Sequence, residues 1–233
     1  MKFPTAPLFA AAALIGVAAG YLAYRHYPRA APAVATLPAR SVPTAPTPAP
    51  PTPSAAELPG KIPLEVPDLK LADLAGKLHA LRDGSKQPHL YNFWATWCEP
   101  CRREIPLLNA LQRRYRGEKL QVVGIAIDFR DAVRQFLRTT PLDYALLVGE
   151  EDGYEAAQKF GMGMALPFSV FSDGEGRIIA VKVGELHREE AEAVLGQMRL
   201  LREGKIPLAE ARAAIDAALK EYSIARAKQS QAS

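Results

Sequence analysis

The apolar positions of this chain change their spacing several times, and each change marks an element. Leu90-Tyr91-Asn92-Phe93-Trp94-Ala95 is a short, mostly apolar run rich in aromatics, the pattern of a buried strand. Past Arg102 the spacing turns helical: Leu107, Leu108, Leu111 and Tyr115 share one stripe, with Arg103, Arg113, Arg114 and Arg116 on the other positions. Lys119 to Asp128 is a β-branched run that predicts a central parallel strand. A short helix over 131–138, a strand over 144–148 and a helix over 153–160 follow, the last stopped by Gly161. Residues 168–171 and 177–183 predict a hairpin around Ser172-Asp173-Gly174-Glu175-Gly176, and 188–201 a closing helix. Ahead of this core, 69–81 predicts a further β-hairpin; beyond it, 207–222 predicts an Ala-rich helix. Strands alternating with helices and ending in an antiparallel pair give an α/β fold, a mixed sheet covered on both faces.

The N-terminal sixty residues follow another pattern. After a short flank, 1–5, Ala6 to Tyr24 is a 19-residue run without a charge, long enough to cross a bilayer. It lacks a clear small-x-small cleavage site before Arg25-His26, so an uncleaved anchor is favoured over a cleaved signal. Residues 25–61, dense in Pro, Ala and Thr, predict an extended linker; in polyproline form thirty such residues span about 90 Å. The core domain is expected over 62–202 and a helical extension with a polar tail over 203–233. The net charge of +4, with no basic patch interleaved with aromatics, gives no argument for a nucleic-acid partner.

The chemistry is concentrated in Trp97-Cys98-Glu99-Pro100-Cys101, which holds the only two cysteines of the 233 residues. Three residues apart, the thiols lie within about one helical turn and can form and break a small disulfide ring. Cys98 is expected where strand gives way to helix. Unpaired N–H groups and the positive end of the helix dipole stabilise a thiolate there, so its pKa should be depressed. Cys101, a turn further in, would be the resolving thiol. A structural disulfide would usually close a longer loop. A zinc site would need about four ligands; beside this Cys pair stand only four scattered histidines, His26, His79, His89 and His187, so no metal is expected.

Asn92-Phe93-Trp94-Ala95-Thr96-Trp97-Cys98-Glu99-Pro100-Cys101 resembles the active site of thioredoxin-fold proteins, and within them the membrane-anchored, extracytoplasmic TlpA/ResA-type thiol–disulfide oxidoreductases. The resemblance covers about residues 62 to 202. It implies a thioredoxin-like sheet preceded by the hairpin, and an outward-facing domain. The positive-inside count conflicts with that orientation, since Arg25, Arg29 and Arg40 follow the apolar run and only Lys2 precedes it.

The resemblance also assigns roles. Ala165-Leu166-Pro167-Phe168 stands where the family carries a cis-proline facing the cysteines, with the Leu166 backbone presented to a partner chain; an ordinary trans-proline at a strand start is the alternative. Leu166 and Phe168 are bulkier than the family's usual residues, so partner preference does not carry over. Asn92 replaces the buried Asp of cytoplasmic thioredoxins and cannot titrate. Glu104, one turn after Cys101, matches the glutamate that tunes the cysteine pair in ResA-like proteins; otherwise it is a solvated residue paired with Arg103 or Arg113. Trp97, Glu99 and Pro100 are expected at the partner surface, Pro100 fitting the first helical turn.

The implied activity is reduction of disulfides in cysteine-bearing client proteins, in cytochrome c or copper-oxidase maturation, with re-reduction by a membrane electron donor and no bound cofactor. A disulfide oxidase or isomerase of the same fold differs from it only in potential. Copper delivery would call for wider Cys spacing and a downstream His. A peroxidase would show a Thr-x-x-Cys pattern, whereas Thr96 stands two residues before Cys98.

Overall fold

The computed structural model describes residues 62–163 and 165–231, in the order β1 (Lys70–Ala72), β2 (Leu78–Ala80), β3 (His89–Trp94), α1 (Glu99–Arg114), β4 (Gln121–Ala126), α2 (Arg130–Phe136), β5 (Ala145–Val148), α3 (Glu151–Lys159), β6 (Phe168–Ser172), β7 (Ile178–Val183), α4 (Arg188–Arg202) and α5 (Leu208–Gln231). The expected membrane segment 6–24 and linker 25–61 lie outside the described residues. Among the described residues no helix is long and apolar enough to cross a membrane.

Five strands form one mixed sheet in the order β5-β4-β3-β6-β7. β3 pairs in parallel with β4, as β4 does with β5; β6 runs antiparallel to both β3 and β7. Every residue of β3 is buried, as a central strand requires. Its side chains alternate. Tyr91 and Phe93 join a core with Phe160, Ala156 and Ala157 near and within α3. Leu90 faces the opposite core, built from Leu108 and Leu111 of α1, Val194 and Leu195 of α4, and Ile215 of α5. Asn92 and Trp94 alternate onto this α1 side.

The predicted order of elements holds throughout, with shifted ends. The strand expected from Lys119 begins only at Gln121: Arg116–Glu118 form a 3₁₀ turn and Lys119 takes a left-handed conformation, φ 61°, which ends pairing there. The helix predicted over 207–222 runs on to Gln231. Ala211 and Ile215 are its buried anchors, and Arg226, near its far end, pairs with Glu189 and the fully buried Glu190 of α4. Helix α1 continues through Pro106, where the ring removes one backbone donor on an exposed position.

Segments outside the five strands meet the sheet at both margins. Glu65 bridges Arg177, with Val66 N–H donating to Gly176 O at 2.8 Å and Ile178 N–H to Leu64 O at 2.9 Å. Arg212 of α5 donates to Ile178 O. On the other side Asp73, which begins the β1–β2 turn, bridges Leu147 of β5.

Candidate active site

Cys98 is the N-cap of α1, at the point where β3 has ended and the helix begins. Its backbone is extended, and its sulfur accepts the Cys101 backbone N–H at 3.4 Å. This is the arrangement that favours a thiolate: an unpaired helix donor aimed at sulfur, at the positive end of the dipole. Cys98 and Cys101 are joined in a disulfide with Cα atoms 5.3 Å apart. Cys98 is 6% exposed and Cys101 fully buried, so a partner can reach only the former. Beneath them lie Trp94, Ala95, Ile105, Ala126, Val133 and Val148, a small apolar floor. Gly124 lets this floor close, since a Cβ there would stand 2.9 Å from the Tyr144 ring and 3.2 Å from Trp94 Nε1.

Glu104 is not the solvated helix residue of the alternative reading. It is 1% exposed and faces the sheet on the same stripe as Cys101, Ile105, Leu108 and Leu111. Asn92 Nδ2 donates to its Oε1 at 2.7 Å, and the Leu186 backbone N–H donates to its Oε2 at 2.6 Å. Burial dominates these two stabilising bonds and pushes its pKa up to about 7. Asn92 Nδ2 also donates to Ser169 Oγ at 3.1 Å, while Asn92 Oδ1 has no partner among the described residues. The carboxyl, the amide and the hydroxyl thus form a buried polar line from α1 across β3 to β6.

The Leu166–Pro167 peptide bond is cis. Pro167 is buried, and its carbonyl accepts the Gly184 N–H at 2.8 Å. Leu166 packs against the apolar group that contains both cysteines. Neither its N–H nor its C=O is hydrogen-bonded to another described residue. Trp94 is fully buried and Trp97 is 63% exposed, so one tryptophan packs under the cysteines and the other stands beside them in solvent. Glu99 is exposed and pairs with Arg103, which also binds Glu185 at 2.7 Å. Pro100 sits in the first turn of α1, half-buried.

The sequence reading missed three contributors. Asp128 accepts the Thr96 N–H at 2.9 Å and the Thr96 hydroxyl at 2.5 Å, which fixes the loop leading into Cys98. Ser169 completes the polar line, and the Leu186 N–H reaches Glu104 from 82 residues away. Only the burial of Glu104 had a readable signal, its place on the stripe 101-104-105-108.

Residues 62–181 match the AhpC/TSA family. The chain belongs to it. Among AhpC/TSA relatives, the thiol–disulfide oxidoreductase ResA of Bacillus thuringiensis (strain Al Hakam) is 30% identical over 132 residues, covering 56% of this chain and 75% of that protein. The thioredoxin-like protein YneN of Bacillus subtilis (strain 168) is 35% identical over 137 residues, covering 56% and 76%. A crystal structure described as a thiol:disulfide interchange protein DsbE from Chlorobium tepidum superposes with a TM-score of 0.52 at 27% identity, covering 59% of this chain and 94% of that one. This AhpC/TSA member has a thioredoxin fold and is a thiol–disulfide oxidoreductase acting on cysteine-bearing proteins.

Proposed function

We propose that this oxidoreductase is a membrane-tethered reductase working outside the cytoplasm, with Cys98 as nucleophile and Cys101 as resolving thiol. The observation that carries the chemistry is the disulfide at the start of α1, one turn above a buried carboxyl held by Asn92 and Leu186. In the reduced protein the Cys98 thiolate attacks one sulfur of a client disulfide. A Cys98–client mixed disulfide forms, and the other client sulfur leaves as a thiolate that takes up a proton. Cys101 gives its proton to the Glu104 carboxylate and attacks the Cys98 sulfur, which forms the intramolecular disulfide and releases the second client thiolate. Two electrons pass to the client. A membrane dithiol donor then reduces the protein again. Leu166, whose main-chain groups pair with no other described residue, would pair with the client's extended backbone, and Trp97, Glu99, Pro100 and Pro167 would frame it.

An equilibrium titration of Cys98 and Cys101 against defined thiol–disulfide buffers tests the direction of transfer. A midpoint near about −270 mV or lower supports the reductase; one near about −120 mV replaces it with disulfide insertion. The charge-free run 6–24 and the Pro-rich stretch after it support a tether and spacer, and the TlpA/ResA-type resemblance supports the extracytoplasmic side and clients in cytochrome c or copper-oxidase maturation. Cell fractionation with mass measurement of the N-terminus should find the intact chain in the membrane fraction; a soluble, shortened chain removes the anchor.

A further inference from the structure

Beside Cys98 the surface is unlike the rest of the active-site rim. Trp97 and Phe129 are 63% and 62% exposed, large apolar groups that nothing in the described residues covers. With Ile127 and the half-buried Tyr154 they line an open cleft of about 490 Å³. The other residues lining it, Asp128, Glu150 and Glu151, are all acidic, and no Lys, Arg or His lines it. The Asp128 carboxylate is taken up by Thr96 and by the Phe129 N–H at 2.8 Å. Glu150 and Glu151 are exposed and form no ion pair among the described residues. The nearest cation in sequence, Arg130, has a guanidinium nitrogen 3.3 Å from where a Cβ on Gly76 would stand, towards the β1–β2 turn. The surface along the start of α1 differs in character. There Arg102, 6.0 Å over the Phe136 ring, and Arg103 line a shallow depression with Glu99 and Thr140.

We propose that the Trp97–Phe129 cleft is the seat for an arginine that neighbours the attacked cysteine in the client. This rests on the reductase reading and adds the chemistry of the segment it accepts. The match is specific to that side chain. A guanidinium stacks on an aromatic face more readily than an ammonium does, its aliphatic stem covers apolar surface, and its fork pairs with carboxylates. The cleft supplies all three: two exposed aromatics, an apolar floor at Ile127, and two carboxylates with no cation of their own. Trp97 precedes Cys98 directly, so a side chain in the cleft belongs to a residue within a position or two of the client sulfur in the mixed disulfide.

The test uses the full-length reduced protein and nonapeptides closed by an intramolecular disulfide, identical except for Arg, Leu or Glu beside the attacked cysteine. Single-turnover second-order rate constants should be about tenfold higher for the Arg than for the Glu peptide at low salt, with Leu between them. In the Glu150→Gln/Glu151→Gln protein the Arg-to-Glu ratio should fall close to one. The ratio is read within each protein, so a general loss of rate does not mimic the effect. Equal rates for Arg and Glu, a Leu peptide faster than Arg, or an unchanged ratio in the double variant overturns the arginine seat alone. Reduction of none of the peptides overturns the reductase reading itself.

Discussion

Replacing Glu104 with Gln should make the oxidised protein more stable at pH 8 and leave its stability unchanged at pH 4. Burial raises this carboxyl from 4.5 to about 7, so the folded state holds the proton that the unfolded chain gives up. As pH rises from 4.5 to about 7, the unfolded state ionises first and native stability falls; above about 7 the loss is complete. Converted, the shift is about 3 kcal/mol, the most that Gln can recover at pH 8, and it vanishes below the unfolded value, where the acid is neutral in both states. Gln also fits the hydrogen bonds. Its carbonyl can accept from Leu186, and its amide can donate to Asn92 Oδ1 once the Asn92 amide turns over, which leaves Asn92 Nδ2 in the place where Oδ1 now lacks a partner. Urea unfolding at the two pH values measures the effect, and equal stabilities of the two proteins at pH 8 would remove Glu104 as a buried acid. The same protein should reduce clients about a hundredfold more slowly near pH 7, because an amide cannot take the Cys101 proton.

Cys98→Ser should abolish disulfide reduction, whereas Cys101→Ser should accumulate a mixed disulfide with the client. The asymmetry follows from where the sulfurs sit. Cys98 caps α1, receives the Cys101 N–H and touches solvent; Cys101 is fully buried one turn in. A hydroxyl at 98 is not ionised near neutral pH and cannot attack a disulfide. A hydroxyl at 101 leaves the first attack intact and blocks the second, so the adduct persists until an outside thiol cleaves it. Mass spectrometry of the acid-quenched reaction counts the adduct. Adducts forming on Cys101 in the Cys98→Ser protein would exchange the two roles.

What could be read in advance depended on how local its cause was. β3 and α1 announce themselves through neighbouring residues: an apolar aromatic run, then apolar positions at helical spacing. The Cys98–Cys101 pair is legible for the same reason, since three residues of separation on a helix leave little freedom. Lys119 reads as strand in the sequence because its left-handed turn shows in no side-chain pattern. The partners of Glu104 were out of reach because Leu186 offers only its backbone N–H, and a backbone donor carries no sequence signature. The last nine residues of α5, 223–231, are not legible because Arg226 gains its weight from Glu190, a carboxylate buried by tertiary packing. The exposed cleft combined both kinds: Trp97 stands in the motif, but Phe129, Glu150 and Glu151 reach it only through the ends of β4 and β5.

The covering of both sheet margins bears on how this protein can meet another chain. A strand's vacant side is an open template for any extended polypeptide. Here β7 is met at its start by residues 64–66 and by Arg212, and β5, only four residues long, meets Asp73. Both margins are interrupted at these points, which shortens the row of donors and acceptors that strand addition could build on. An enzyme that acts on cysteine-bearing proteins meets many candidate strands that could stick to it indiscriminately. Blunted margins turn those encounters away and, in the mode of binding proposed above, leave the main-chain groups of Leu166, which pair with no other described residue, as the place where a visiting backbone would register.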